Sequence, residues 1–320
     1  MAINFAVQEK LNSRAVLLMI LISAAITCGL QLFSQALGPV GVILNLVLAF
    51  PVAYVGMRTG PLMALVALSI VVVVMIGSSG LTYGVLYLVE FGAASVVLPL
   101  LLRRGVSWLK TIVVCLLLTG SIVTVVAVGY TVRIETTVST VVATYIADEV
   151  SGARQIYEQA GLTPEQLDEL LAVLDTTALF FQQTYIGLAI VAFAIVMAAT
   201  LILLGVAARG RYVIPGTLFH DIRLPDWLIW LLISAGFGLL INVVQVERIA
   251  LNMLTVMLPL YFLQGIAIMT FFFRKKSFST LSRVFGYVLV LVVNPLPLLV
   301  TAIGVFDMWF DFRKPREKTT

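Results

Sequence analysis

The stretch TYGVLYLVEF contains three residues whose side chains could hold a polar ligand inside an apolar segment: Tyr83, Tyr87 and Glu90. The two tyrosines precede the acid at i−7 and i−3, a spacing that puts all three on one face of a helix. A carboxyl flanked by two phenols can hydrogen-bond an amine or a hydroxyl. It can also exchange a proton, the usual work of an acid at membrane depth. The structural alternative is a protonated Glu90 bonded to a neighbouring helix. An unpaired charge there would cost at least about 2.5–3.5 kcal/mol on the insertion scale, so Glu90 needs one of these explanations.

A second set lies in INVVQVERIALNMLTVMLPLYFLQ, from Ile241 to Gln264. Arg248 and Asn252 are spaced i, i+4 and share a helix face. They present a cation and an amide either to the outer part of a helix bundle or to lipid headgroups, as arginines at span ends do when they snorkel. Gln264 further along, Asn45, and Gln31 and Gln35 near the amino terminus are amides of the kind that join membrane helices by hydrogen bonds. The candidate ligand-binding set is therefore Glu90, Tyr87, Tyr83, Asn45, Arg248, Asn252 and Gln264.

Several chemistries are missing from the sequence. No Gly-Lys pair occurs, so there is no phosphate-binding loop of the GxxxxGK[ST] type. The single histidine, His220 in LFHDIRLPDW, excludes the HExxH metal-hydrolase motif, and no GxSxG elbow is present. Cys28 and Cys115 fall in apolar runs away from other ligand-type residues, which suggests neither a disulfide nor a metal site. The reading is of a chain that is not an enzyme, with no catalytic residues, no metal and no cofactor.

These groups must be positioned by membrane helices. The chain is 61% hydrophobic and 11% charged, against about 25% charged for soluble domains, and its mean hydropathy is +1.09. Its long apolar runs suit helices of about 20 residues, not the weak alternation of a membrane barrel. The fold class is all-α: a polytopic integral membrane helical bundle of about eight or nine transmembrane helices, in a single membrane domain over 1–320. Candidate spans lie at 14–36, 39–57, 61–77, 81–102, 108–130, 177–207, 227–244, 249–273 and 283–306. Trp227 to Phe273 as one helix would extend about 70 Å, so a turn is required, and VQVER is the polar place for it. The run after Arg14 reads as a retained first helix and not as a cleaved signal.

Residues 131–176 form the one large polar insert, with eight acids against two arginines. Thr163-Pro164-Glu165-Gln166 is a helix start, with Thr as N-cap, Pro at the first position and Gln at the third. Leu167, Leu170, Leu171 and Leu174 then give one apolar face, as Ile134, Val138, Val141, Val142 and Tyr145 do earlier. An acidic extracytoplasmic helical hairpin results, serving as a cap, a lid or a docking surface.

Lysine and arginine fix the orientation. Placing the amino terminus in the cytoplasm puts Arg58, Arg103, Arg104, Lys110, Arg209, Arg211, Arg223, Arg274, Lys275 and Lys276 inside. Nine crossings would leave the basic end RKPREK outside, against the same rule. VVNPLPLL offers a way out, because Pro295 and Pro297 disturb the carbonyls of Leu291 and Val293 and should kink or break the last helix. Residues 307–320 read as an interfacial tail in which Asp307 and Asp311, at i, i+4, pair with nearby basic groups. The net charge of +4 is explained by cytoplasmic loops and calls for no nucleic acid. The lipid bilayer is the implied partner, and Ala25 and Gly29 form a small-xxx-small pair suited to contact with a partner subunit.

NMLTVMLPLYFLQG (Asn252 to Gly265), LPDWLIW (Leu224 to Trp230) and IGVFDMWFDFRK (Ile303 to Lys314) resemble the YybS-like family of uncharacterised bacterial multi-pass membrane proteins. That family is distantly similar to the substrate-binding S components of energy-coupling-factor transporters, small membrane proteins that bind a micronutrient from outside and borrow ATP hydrolysis from partner subunits. The resemblance implies a solute-binding or transport-type protein of the bacterial cytoplasmic membrane. The chain departs from the S-component pattern in its span number and its acidic insert, and no vitamin-binding residue carries over. The other reading is a structural or assembly factor of the cell envelope that binds protein or lipid partners.

Overall fold

Glycine and proline set where the first helices stop. Gly60 and Gly80 hold φ of 113° and 97°, a backbone that only glycine adopts without penalty, and Pro61 starts the next helix with its φ already fixed. The computed structural model describes residues 12–313. Helix α1 (Ser13–Ala36) is followed by the 3-10 turn Gly38–Leu44, α2 (Asn45–Leu48), α3 (Phe50–Thr59), α4 (Pro61–Ser79) and α5 (Leu81–Gly92). A π-helical turn, Ala93–Val97, carries α5 into α6 (Leu98–Arg103). Pro99 accounts for it. Proline has no N–H to offer the carbonyl of Ser95 and its ring would strike that carbonyl. The wider turn avoids the clash, and the Leu98 N–H bonds back to the Ala93 carbonyl.

Then follow α7 (Trp108–Arg133), α8 (Val138–Glu158), α9 (Pro164–Ala208), α10 (Leu228–Gly238), α11 (Val244–Lys275), α12 (Thr280–Val292) and α13 (Leu296–Phe310). Among the described residues there is no strand. Among these described residues seven segments are long and apolar enough to cross a membrane, and α12 with α13 makes an eighth if that pair, bent by 103°, is one span. The polytopic all-α class is therefore as the sequence reads.

Three boundaries differ. The expected span at 227–244 is only an 11-residue helix, α10, about 16 Å long and too short to cross a hydrocarbon core. The turn before α11 falls at Leu239–Val243 and not in VQVER, which instead forms the first turn of α11. The cause is local: Val243 is extended, with φ −129° and ψ 114°, and the helix restarts immediately behind it. Finally, no break divides the insert, expected at 131–176, from the span expected at 177–207. Its second helix runs without a break into the membrane segment as the 45-residue α9, about 68 Å and so roughly twice the hydrocarbon thickness. No glycine or proline interrupts the chain between Gln166 and Tyr185. Its start is as expected: the Thr163 N–H donates to Gln166 Oε1 at 3.2 Å, and the Gln166 N–H to Thr163 Oγ1 at 3.4 Å.

The chain forms two compact units. One contains the residues up to Glu135 together with Ala192–Gly216; the other contains Thr136–Val191 and the chain from Thr217 onward. In the first, Leu48, Val52, Ala64, Val71, Met75 and Leu204 are fully enclosed, where α1, α3 and α4 pack on one another. Ala25 and Gly29 stay exposed on α1, and a Cβ at Gly29 would meet nothing within 4 Å. In the second, α11 packs along α13. Gly265 lies against Val300 and Gly304 against Tyr261, so closely that neither position has room for a Cβ.

Candidate functional site

The cleft of the second unit is built from the outer turns of three helices. Ser139 and Ala143 stand one turn apart on α8, Gln182 and Gln183 lie on α9, and Val244, Glu247 and Arg248 share one face of the first turns of α11. Together they line an open cleft of about 260 Å³. Arg248 is half-buried in it. Its guanidinium donates to Ser139 Oγ at 3.2 Å and lies 5.2 Å from the centre of the Tyr185 ring. A hydrogen bond on one side and a cation–π contact on the other hold the planar group in one orientation. Glu247 is exposed beside it.

Asn252, one turn further along α11, does different work. Its Oδ1 accepts from the Gly187 N–H at 2.8 Å, and its Nδ2 donates to the carbonyls of Gln183 at 2.6 Å and Arg248 at 2.7 Å. Gln183 and Gly187 are an i, i+4 pair of α9, so the side-chain amide bridges one rung of that helix. A Cβ on Gly187 would lie 2.9 Å from Thr255 Cβ, so α11 approaches here because residue 187 has no side chain. Asn252 is a clasp that fixes the floor of the cleft.

Gln264 is buried and belongs to a second polar network. Its Oε1 accepts from the Leu224 N–H at 3.0 Å, and its Nε2 donates to Asp307 Oδ2 at 3.2 Å. The same Asp307 oxygen takes an ion pair of 2.6 Å from Arg313, whose NH1 also donates to the carbonyls of His220 and Ile222. Asp311 pairs with Arg223 at 2.9 Å. Asp307 thus pairs with a basic group nearby in sequence, as expected, whereas the Asp311 partner Arg223 comes from the loop after α9; Asp307 and Arg313, expected on an interfacial tail, are buried. The tail from Lys314 on lies outside the described residues.

The first unit holds the remaining candidates. Tyr83 is exposed, Tyr87 is wholly enclosed and stacks on Phe91 with centroids 5.3 Å apart, and Glu90 is half-buried. One helix face therefore delivers its three polar groups to three different surroundings. Asn45 Oδ1 accepts from Ser34 Oγ at 3.1 Å, a bond between neighbouring segments. Among the described residues no group of three or more His, Cys, Asp or Glu could hold a metal ion.

Sequence patterning singles out Arg248 and Asn252 but not Ser139, Gln182, Gln183 or Tyr185. The pair Gln182-Gln183 interrupting the apolar run FFQQTY was a usable signal; Ser139 was not, since nothing distinguishes it from other hydroxyls of α8. The sequence places Arg313 on an interfacial tail; its burial depends on loop carbonyls far away in sequence.

The family described as predicted membrane protein (DUF2232) matches residues 25–308. No curated protein and no solved structure matches the chain.

Proposed function

The chain belongs to the DUF2232 family of membrane proteins, and on that premise we propose that it is a non-enzymatic, membrane-embedded solute-binding protein whose site is the Arg248 cleft. The observation that carries this is a guanidinium held in place by Ser139 and Tyr185 at an open cleft lined by Gln182, Gln183 and Glu247. A pre-oriented guanidinium suits a carboxylate or phosphate group. The volume of about 260 Å³ falls just under the roughly 300–1,000 Å³ of ligand pockets, which suits a small solute. The resemblance to YybS-like proteins, and through them to S components, supports the same reading. So does the lysine and arginine bias, which puts the amino terminus of a bacterial cytoplasmic-membrane protein inside and this cleft outside.

Purified protein, scanned for thermal stabilisation by a panel of small carboxylates and phosphates, tests the proposal. At least one should stabilise the protein, with the effect lost in Arg248→Ala and reduced in Arg248→Lys. A panel without effect, or stabilisation that survives Arg248→Ala, removes the site.

The envelope-scaffold reading is favoured by one observation. Asn252 and Gln264 spend their amides on contacts between elements of the chain itself, as structural glue does.

A further inference from the structure

The turn that Pro99 forces on the first unit is surrounded by buried oxygen atoms that lack protein partners. Thr27 on α1, Tyr87 on α5 and Ser95 in the π-turn are 0%, 1% and 0% exposed. The Tyr87 hydroxyl lies within interaction range of both the Ser95 and the Thr27 hydroxyls. Yet none of the three makes a hydrogen bond of acceptable geometry among the described residues. Gln31, one turn beyond Thr27 on α1, buries an Oε1 that is also unpartnered.

An unsatisfied buried hydroxyl costs about 1–3 kcal/mol, and three gathered around the Tyr87 oxygen are not expected without a shared partner. The backbone adds a further acceptor. Pro99 has no N–H, so either the Ser95 carbonyl in α register or the Ala94 carbonyl in π register loses its ladder donor. π-turns inside helices recur at functional sites. The Tyr87 hydroxyl, with Ser95 and Thr27 in its reach, is thus rich in oxygen lone pairs. A small cation can take these three oxygens as ligands together. Glu90 stands one turn before Ala94 on the same helix, and no hydrogen bond or ion pair from another described residue engages its carboxyl.

We propose that the π-turn of the first unit is a binding site for a dehydrated alkali-metal cation, liganded by the hydroxyls of Thr27, Tyr87 and Ser95 and by a carbonyl that Pro99 frees. Hard monovalent ions take neutral oxygen ligands of this kind, and irregular backbone at membrane depth is tolerated where it lines such a site.

The test uses the full-length protein in detergent, melted in sodium, potassium, lithium or N-methylglucamine chloride at equal ionic strength. At least one alkali cation should raise the melting temperature by a few degrees over N-methylglucamine, with a rise that continues with concentration as mass action requires. Ser95→Ala and Thr27→Val should abolish the difference between cations, while Ser121→Ala, which removes an exposed hydroxyl on α7, should keep it. Direct titration of wild-type protein with the stabilising ion, followed by radiolabelled ion retention, should give saturable binding near one per chain. This measurement does not depend on the variants folding. Equal melting in all four salts, or no saturable binding, overturns the proposal and leaves the cluster to ordinary water.

Discussion

Asp307 and Arg313 form an ion pair of 2.6 Å in which the side chains are 3% and 4% exposed. Six residues apart, they could not meet on a continuing helix. They meet because α13 ends at Phe310 and Asp311 turns into the left-handed region with φ 38°. The chain folds back, the Phe312 N–H caps the free Asp307 oxygen at 3.1 Å, and Arg313 reaches the other.

Breaking this pair should be costly. Either Asp307→Asn or Arg313→Ala leaves one buried charge or carboxylate oxygen uncompensated, a loss of about 3–5 kcal/mol for buried pairs. Replacing both, as in Asp307→Leu with Arg313→Met, should cost much less than the sum of the two single changes. Melting curves of the four proteins give the coupling. Simple additivity would mean that the pair does not act as a unit.

The same contact bears on the side of the membrane where the chain ends. Arg313 is bound to His220 and Ile222 of the loop that follows α9, and Arg223 of that loop to Asp311. The lysine and arginine bias of the sequence leads to the expectation that this loop is cytoplasmic. A reporter fused after Thr320 should therefore be active only as a cytoplasmic reporter, with the 103° bend between α12 and α13 returning the chain to the side it came from. An active periplasmic phosphatase fusion would reverse this assignment.

Asn252 should matter for stability in one direction only. Asn252→Ala removes the amide that bridges Gln183 and Gly187, at a cost of roughly 0.6–2 kcal/mol for a polar contact between membrane helices. Asn252→Asp keeps the acceptor for Gly187 but loses both donated bonds and should cost at least as much. Hydrogen exchange localises the effect: faster exchange at the Gly187 amide with unchanged exchange in α4 is the expected pattern.

Alkaline pH should loosen the loop after α9. Burial, with Tyr54 adding to it against the opposing Arg58 and Arg211, pushes the Tyr212 phenol from 10.0 up to about 12. Its hydroxyl donates to the Leu204 carbonyl at 2.8 Å, so the folded state favours the protonated form. That stabilisation is fully present below pH 10 and is lost as pH rises toward about 12. Tyr212→Phe should be less stable than wild type at neutral pH and should show a shallower loss across that window. Parallel alkaline unfolding curves for the two proteins would contradict it.

The sequence by itself determined that this is a helical membrane protein. Apolar length, turn glycines and the capping pattern at Thr163 are local properties, and hydrocarbon leaves a chain of this composition little choice but helix. It also marked Arg248, Asn252, Gln264 and the broken stretch around Pro295, because a polar group or a proline in an apolar run stands out without any knowledge of its neighbours. What those groups do was decided only by tertiary structure. Arg248 and Asn252 share a helix face, yet one lines a cleft and the other bridges a rung of α9, because Gly187 lets that helix approach at Asn252. Tyr83, Tyr87 and Glu90 share a face as well, but one is exposed, one enclosed and one half-buried, and periodicity along one helix carries no information about that. Arg313 sits among charges at the end of the sequence and is nevertheless buried, since its partners at residues 220 and 222 come from a loop some ninety positions earlier. Such pairings follow from how helices cross and where loops return, and no local pattern encodes them.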